Sequence, residues 1–115
     1  MSLPQILALS LTEIIGDVAL KEYANDKGVG YLSIGVAGYI GVVILLIINL
    51  QGSSILLVNN AWDATSSLLE SLYAYFVLGE RFENYFQYFG VVLIISGLYL
   101  LKIPLSKKHP FHIPK

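Results

Sequence analysis

Leu7-Ala8-Leu9-Ser10-Leu11-Thr12-Glu13-Ile14-Ile15-Gly16 is an apolar run with one carboxylate at its centre. It lies inside a longer segment, Leu3–Lys21. That segment is close to the roughly 20 residues a helix needs to cross about 30 Å of hydrocarbon. A carboxylate at mid-bilayer costs about 2.5–3.5 kcal/mol on insertion scales. Such a residue is by default a functional-site hypothesis. A protonated acid, hydrogen-bonded inside a bundle, is the purely structural alternative.

Working outward, three further apolar segments follow: Tyr31–Leu50, Ser54–Leu78 and Tyr85–Lys102. The breaks between them are short and polar or Gly-rich. The 115 residues are 56% hydrophobic and 13% charged, whereas a soluble domain carries about 25% charge. The expectation is an all-α protein: one four-helix transmembrane domain over residues 1–103 and a polar tail over 104–115. It places the chain as a multi-pass protein of a cell (inner or plasma) membrane, its partner the lipid bilayer. The N-terminal run lacks a basic lead and an Ala-x-Ala site, so it is read as a mature first helix.

A formal net charge of −1 gives no basic field, which argues against nucleic acid as a partner. With no cysteine there are no disulfides, thiolate metal sites or cysteine nucleophiles. No nucleophile–base constellation stands outside the apolar segments, so enzymatic chemistry is not expected. Four spans put Lys102, Lys107, Lys108 and Lys115 on one side and Lys21, Lys27 and Arg81 on the other. That bias is too slight for the positive-inside rule to fix one orientation. Insertion both ways and a cytoplasmic tail set by the terminal lysines are both open.

Ser10, Glu13, Asp17 and Lys21 share one face of the first helix. Asp17 precedes Lys21 by four, the favourable order for an ion pair; neutralising Lys21 is one reading of Asp17. Gly35, Gly38 and Gly41 on the second helix read as a close-packing surface, with Tyr39 among them as a core ring or a ligand-facing one. On the third helix Asn59, Asp63, Ser66 and Glu70 form a polar stripe at helical spacing. The stripe must face a cavity, another helix or a partner chain, because lipid would penalise it heavily. Trp62 beside it suits either that cavity or an interfacial belt. On the fourth helix Gly90 and Gly97 lie seven apart on one face, which suits a helix–helix contact. The tail, with His109 and His112, is expected to be extended and loose, and no metal site is expected there.

These residues resemble the small multidrug resistance family of transporters, from about Ile6 to Lys102. The likeness rests on Glu13 followed by Gly16 and Lys21, on Tyr39, and on Ala61-Trp62. It also rests on Gly79-Glu80-Arg81-Phe82, similar to the family's Gly-Gln-Arg loop, and on Gly90…Leu93-Ile94…Gly97, similar to its helix-4 dimer motif. The resemblance implies an antiparallel, dual-topology homodimer held through Gly90, Leu93, Ile94 and Gly97. It implies proton-coupled export of small organic cations, with protons as the coupling ion and no other cofactor. Glu13 would bind proton or substrate in turn, with Trp62 and Tyr39 lining the chamber. The chain departs from the family at Ala64-Thr65-Ser66, where a Gly-x-Gly kink is usual, and at Asn59, where a tyrosine is usual. Asp17, Asp63 and Glu70 are additional acids. The Glu70–Arg81 run also resembles the larger drug/metabolite transporters.

Apolar surroundings penalise a bare carboxylate, so proton and cation compete for it, and their bindings are reciprocally linked. Aromatic faces add about 0.5–2 kcal/mol each to a bound cation. The expected substrates are quaternary ammonium compounds or polyamines. Asp63 and Glu70 stand about 10 Å apart at 1.5 Å per residue, a span that suits a linear polyamine. The alternatives are a non-transporting membrane subunit, one half of a heterodimer with a related chain, and a divalent-metal carrier using hard oxygen ligands.

Overall fold

The computed structural model describes residues 1–106 and 111–115. Lys107, Lys108 and His109, invoked above for topology and tail, lie outside the described residues. The fold is all-helical, with α1 (Leu3–Ala24), α2 (Val29–Leu50), α3 (Ile55–Phe76) and α4 (Tyr85–Leu101). Both α1 and α2 are long and apolar enough to cross a membrane. At 22 residues each they reach about 33 Å at 1.5 Å per residue. α4 is apolar too but has 17 residues, and α3, though a continuous helix of 22 residues, carries the polar stripe along it.

The helix ends differ from expectation by up to three residues, each for a local reason. α1 runs past Lys21 because Glu22 and Tyr23 continue it to Ala24, and the capping Asn25 N–H donates to the carbonyls of Lys21 and Glu22. α2 begins as soon as Gly28 ends the turn at φ 123°, a conformation that L side chains rarely adopt. Ser54 is not the first residue of α3 but its cap: its hydroxyl accepts the Leu57 N–H at 3.1 Å. α4 opens on a reciprocal cap, in which the Asn84 side chain accepts from Phe86 N–H and the Gln87 side chain accepts from Asn84 N–H. Asn84→Ala is expected to cost about 1 kcal/mol, read as a lowered midpoint in a thermal melt followed by circular dichroism.

The helices lie side by side in the order α2, α1, α3, α4. α1 packs most extensively on α2 and then on α3, whereas α4 packs only on α3. The Cα extents are 41 × 37 × 18 Å, a flat slab. Its radius of gyration, 15.7 Å, exceeds the roughly 13 Å of a compact chain of this length.

The α1–α2 contact is made by glycines, as their spacing suggests. A Cβ on Gly38 would stand 2.9 Å from the Gly16 Cα, and one on Gly41 would stand 3.0 Å from Thr12 Cγ2. Asn49, fully buried near the end of α2, donates to the carbonyls of Gln5 (3.2 Å) and Leu45 (2.9 Å), tying α2 to α1. Met1, Ile6, Val58 and Ala61 form a small core, joined at its edge by Trp62, Leu101 and Ile103. Lipid tails are as apolar as these side chains, so in a bilayer such contacts act through close packing rather than through release of water.

The ends of the chain are tied down. Leu3 N–H donates to the Pro104 carbonyl at 2.7 Å. The Gln51 side chain donates to the His112 carbonyl at 2.6 Å and accepts from its N–H at 3.3 Å. Residues 111–115 are exposed and without secondary structure, as expected of an extended tail, with His112 as the point of attachment to Gln51. In the α1–α2 turn, Lys27 pairs with Glu22 at 2.9 Å. That hydrogen bond, with the attraction between the charges, holds the Lys27 ammonium above its ordinary pKa.

Candidate functional site

Two helices bring three acids together. Glu13 and Asp17 stand one turn apart on α1, and Glu70 reaches them from α3. One carboxylate oxygen from each lies within 4.8 Å of the other two. All three side chains are half-buried. From α2, the Tyr39 hydroxyl donates to Asp17. The Tyr39 ring lies across Gly16, where an added Cβ would meet Cδ2 at 3.0 Å. Gly16 therefore makes room for the ring that anchors Asp17.

The other predicted residues arrange around this centre. The Trp62 indole and the Ser66 hydroxyl lie beside the Glu13 carboxyl. The indole Nε1 is buried and makes no hydrogen bond of good geometry. Ser66 is buried, and its hydroxyl also donates to the Asp63 carbonyl at 3.4 Å. Trp62 thus packs between the small core and Glu13. Asp63 is exposed; it acts on Glu13 through its charge but stands outside the triad. Asn59 is exposed as well. The polar stripe on α3 is therefore split. Ser66 and Glu70 turn toward α1, and Asn59 and Asp63 open outward.

The pairing of Asp17 with Lys21 is not what the structure contains. Lys21 reaches across to Glu80 in the α3–α4 loop, Nζ to Oε1 3.1 Å, with both side chains about half exposed (51% and 54%). An exposed pair of this kind is worth about 0–1 kcal/mol. Arg81 spends Nη1 on the carbonyls of Tyr75 (2.8 Å) and Glu80 (2.7 Å). Its guanidinium covers the Tyr75 ring at 3.6 Å. No Lys or Arg among the described residues pairs with Glu13, Asp17 or Glu70. Three clustered carboxylates without a basic neighbour need protons or an added cation to coexist. As hard oxygen donors, they are also the set that a metal cation would select.

Beyond Glu70 a cavity of about 680 Å³ opens toward the α3–α4 loop, with Glu70, Ser71, Tyr75, Glu80, Arg81 and Phe82 in its wall. Sequence reasoning took Gly79–Phe82 as a motif and missed that it walls a cavity. The signal was present: Gly79, at φ 70°, turns the chain back over the end of α3.

On α4, Gly90 and Gly97 have nothing within 4 Å of an added Cβ, and Leu93 is 57% exposed. Ile94 is half-buried on the same helix.

No family model matches the chain, and neither a curated protein nor a solved structure matches it.

Proposed function

We propose that the chain is a proton-coupled exchanger of small organic cations, a divergent relative of the small multidrug resistance family that works as an antiparallel homodimer. All four helices cross the bilayer in this reading. α3 does so with its acids turned toward α1 and a second copy, and α4 offers Gly90, Leu93, Ile94 and Gly97 to its counterpart. The observation that carries the proposal is the Glu13–Asp17–Glu70 triad, which has no Lys or Arg partner among the described residues. In low dielectric the charges of such a triad cannot all persist bare. Protons occupy it until a cation arrives, and the cation expels them. Proton and guest are then linked through one set of atoms, so each weakens the other's binding by the same factor. Tyr39 holds Asp17, and the Trp62 indole beside Glu13 is an aromatic group of the kind that attracts a quaternary ammonium.

The test is proton release. Purified protein in weak buffer is titrated with tetraethylammonium and with spermidine, while a pH indicator follows the solution. Protons are expected to appear on cation addition, and cation affinity to rise with pH. If neither cation displaces protons at any pH, the exchanger reading is overturned.

A further inference from the structure

The triad explains one carboxylate of the loop-side cavity but not the other charged groups that line it. Glu70 belongs to both, and its Oε1 is buried without a hydrogen-bond partner. Arg81 lines the same cavity. A guanidinium carries five donors. The bonds of Arg81 to the Tyr75 and Glu80 carbonyls use Nη1 alone, leaving the Nε and Nη2 edge without a partner among the described residues. Stacking on Tyr75 holds that edge in place. Glu80 is paired with Lys21, so the charges around the cavity cancel: Glu70 and Glu80 against Lys21 and Arg81. A simple cation finds one half of this arrangement useful. A molecule with a cationic nitrogen at one end and an anion at the other uses both.

We infer that the cavity between Glu70 and Arg81 is a binding site for small zwitterions of the betaine type, with the cationic nitrogen toward Glu70 and the carboxylate on the open fork of Arg81. This rests on the exchanger reading for Glu70 but adds a second anchor outside the triad. The volume falls in the ordinary range for small-molecule sites, about 300–1,000 Å³. A planar guanidinium edge is also the group best matched to a carboxylate. A phosphocholine headgroup presents the same pair of charges, so a lipid and a soluble betaine are two sources of one chemistry.

The experiment compares choline with glycine betaine and γ-butyrobetaine by calorimetry, on full-length protein in phosphatidylglycerol nanodiscs. Choline shares the trimethylammonium group and lacks the carboxylate. In wild-type protein at least one betaine is expected to bind at least as tightly as choline. Arg81→Gln is expected to weaken that betaine at least about tenfold, since a charged hydrogen bond is lost, and to leave choline within about twofold. Retained choline binding also shows that the variant is folded. Arg81→Lys, which keeps the charge without the fork, is expected to fall between. If phosphatidylcholine nanodiscs abolish betaine binding to wild type, the native occupant is a headgroup, and the zwitterion site stands. If choline binds and neither betaine does, or if Arg81→Gln weakens choline and betaine alike, the inference is overturned while the exchanger reading survives. Failure of all cations to release protons would instead remove the exchanger reading, and the betaine arms would still report on Arg81.

Discussion

Glu13→Gln is expected to abolish cation-driven proton release and to weaken cation binding at least about tenfold. Glu13 is the triad member flanked by Trp62 and Ser66, so a guest seated there loses its nearest charged partner while Asp17 and Glu70 remain close by. Opposite unit charges about 4 Å apart attract by about 4 kcal/mol at an effective dielectric of 20, more than the roughly 1.4 kcal/mol that a tenfold change needs. Gln fills nearly the same volume, so the helix packing should persist. The measurement is the proton-release titration, repeated on the variant with tetraethylammonium. A variant that still binds the cation with wild-type pH dependence would move the exchange centre to Asp17 and Glu70 or outward to Asp63.

The second large effect concerns packing. Gly38→Val is expected to destabilise the chain by about 3 kcal/mol, the upper part of the range for overpacking. The new Cβ would meet the Gly16 Cα at 2.9 Å and the Gly16 N at 3.2 Å. These are backbone atoms, and they retreat only if α1 and α2 separate. Separation would also pull Tyr39 from Asp17. Gly35→Ala makes an instructive control. Its Cβ would come closer, 2.4 Å to Leu20 Cδ2 and 2.6 Å to Leu20 Cγ, but both atoms belong to one side chain that can swing aside about χ1. Its cost should stay near 1 kcal/mol. Unfolding in mixed micelles at graded detergent ratio measures both. The reverse order would mean that the α1–α2 contact is looser than its glycines imply.

Much of this was legible in the sequence, and the exceptions share a cause. Four apolar blocks gave four helices because hydrocarbon-length runs separated by Gly and Asn turns leave few other options. Glycine spacing on α2 announced its contact with α1. Helical periodicity placed Glu13 and Asp17 on one face and Glu70 on a stripe. It could not say that the two faces meet, because which helices are neighbours is a long-range choice. Lys21 shows the limit most clearly. Local spacing favours Asp17 as its partner, worth only a few tenths of a kcal/mol on a helix surface. A loop glutamate nearly sixty residues away takes it instead. The split of the α3 stripe was hidden for the same reason. Asn59 and Asp63 share a periodicity with Ser66 and Glu70, but only the latter two fall where α1 crosses.

Glu70 has one oxygen in the triad's company and a side chain in the wall of the loop-side hollow. In the proposed exchange, a guest that enters from the loop and passes Glu80 would meet an acid that also belongs to the cluster on α1. Recognition at the doorway and discharge of the inner store would then fall on a single side chain, and the proposed exchange would need no relay of waters or intervening residues to carry the news inward.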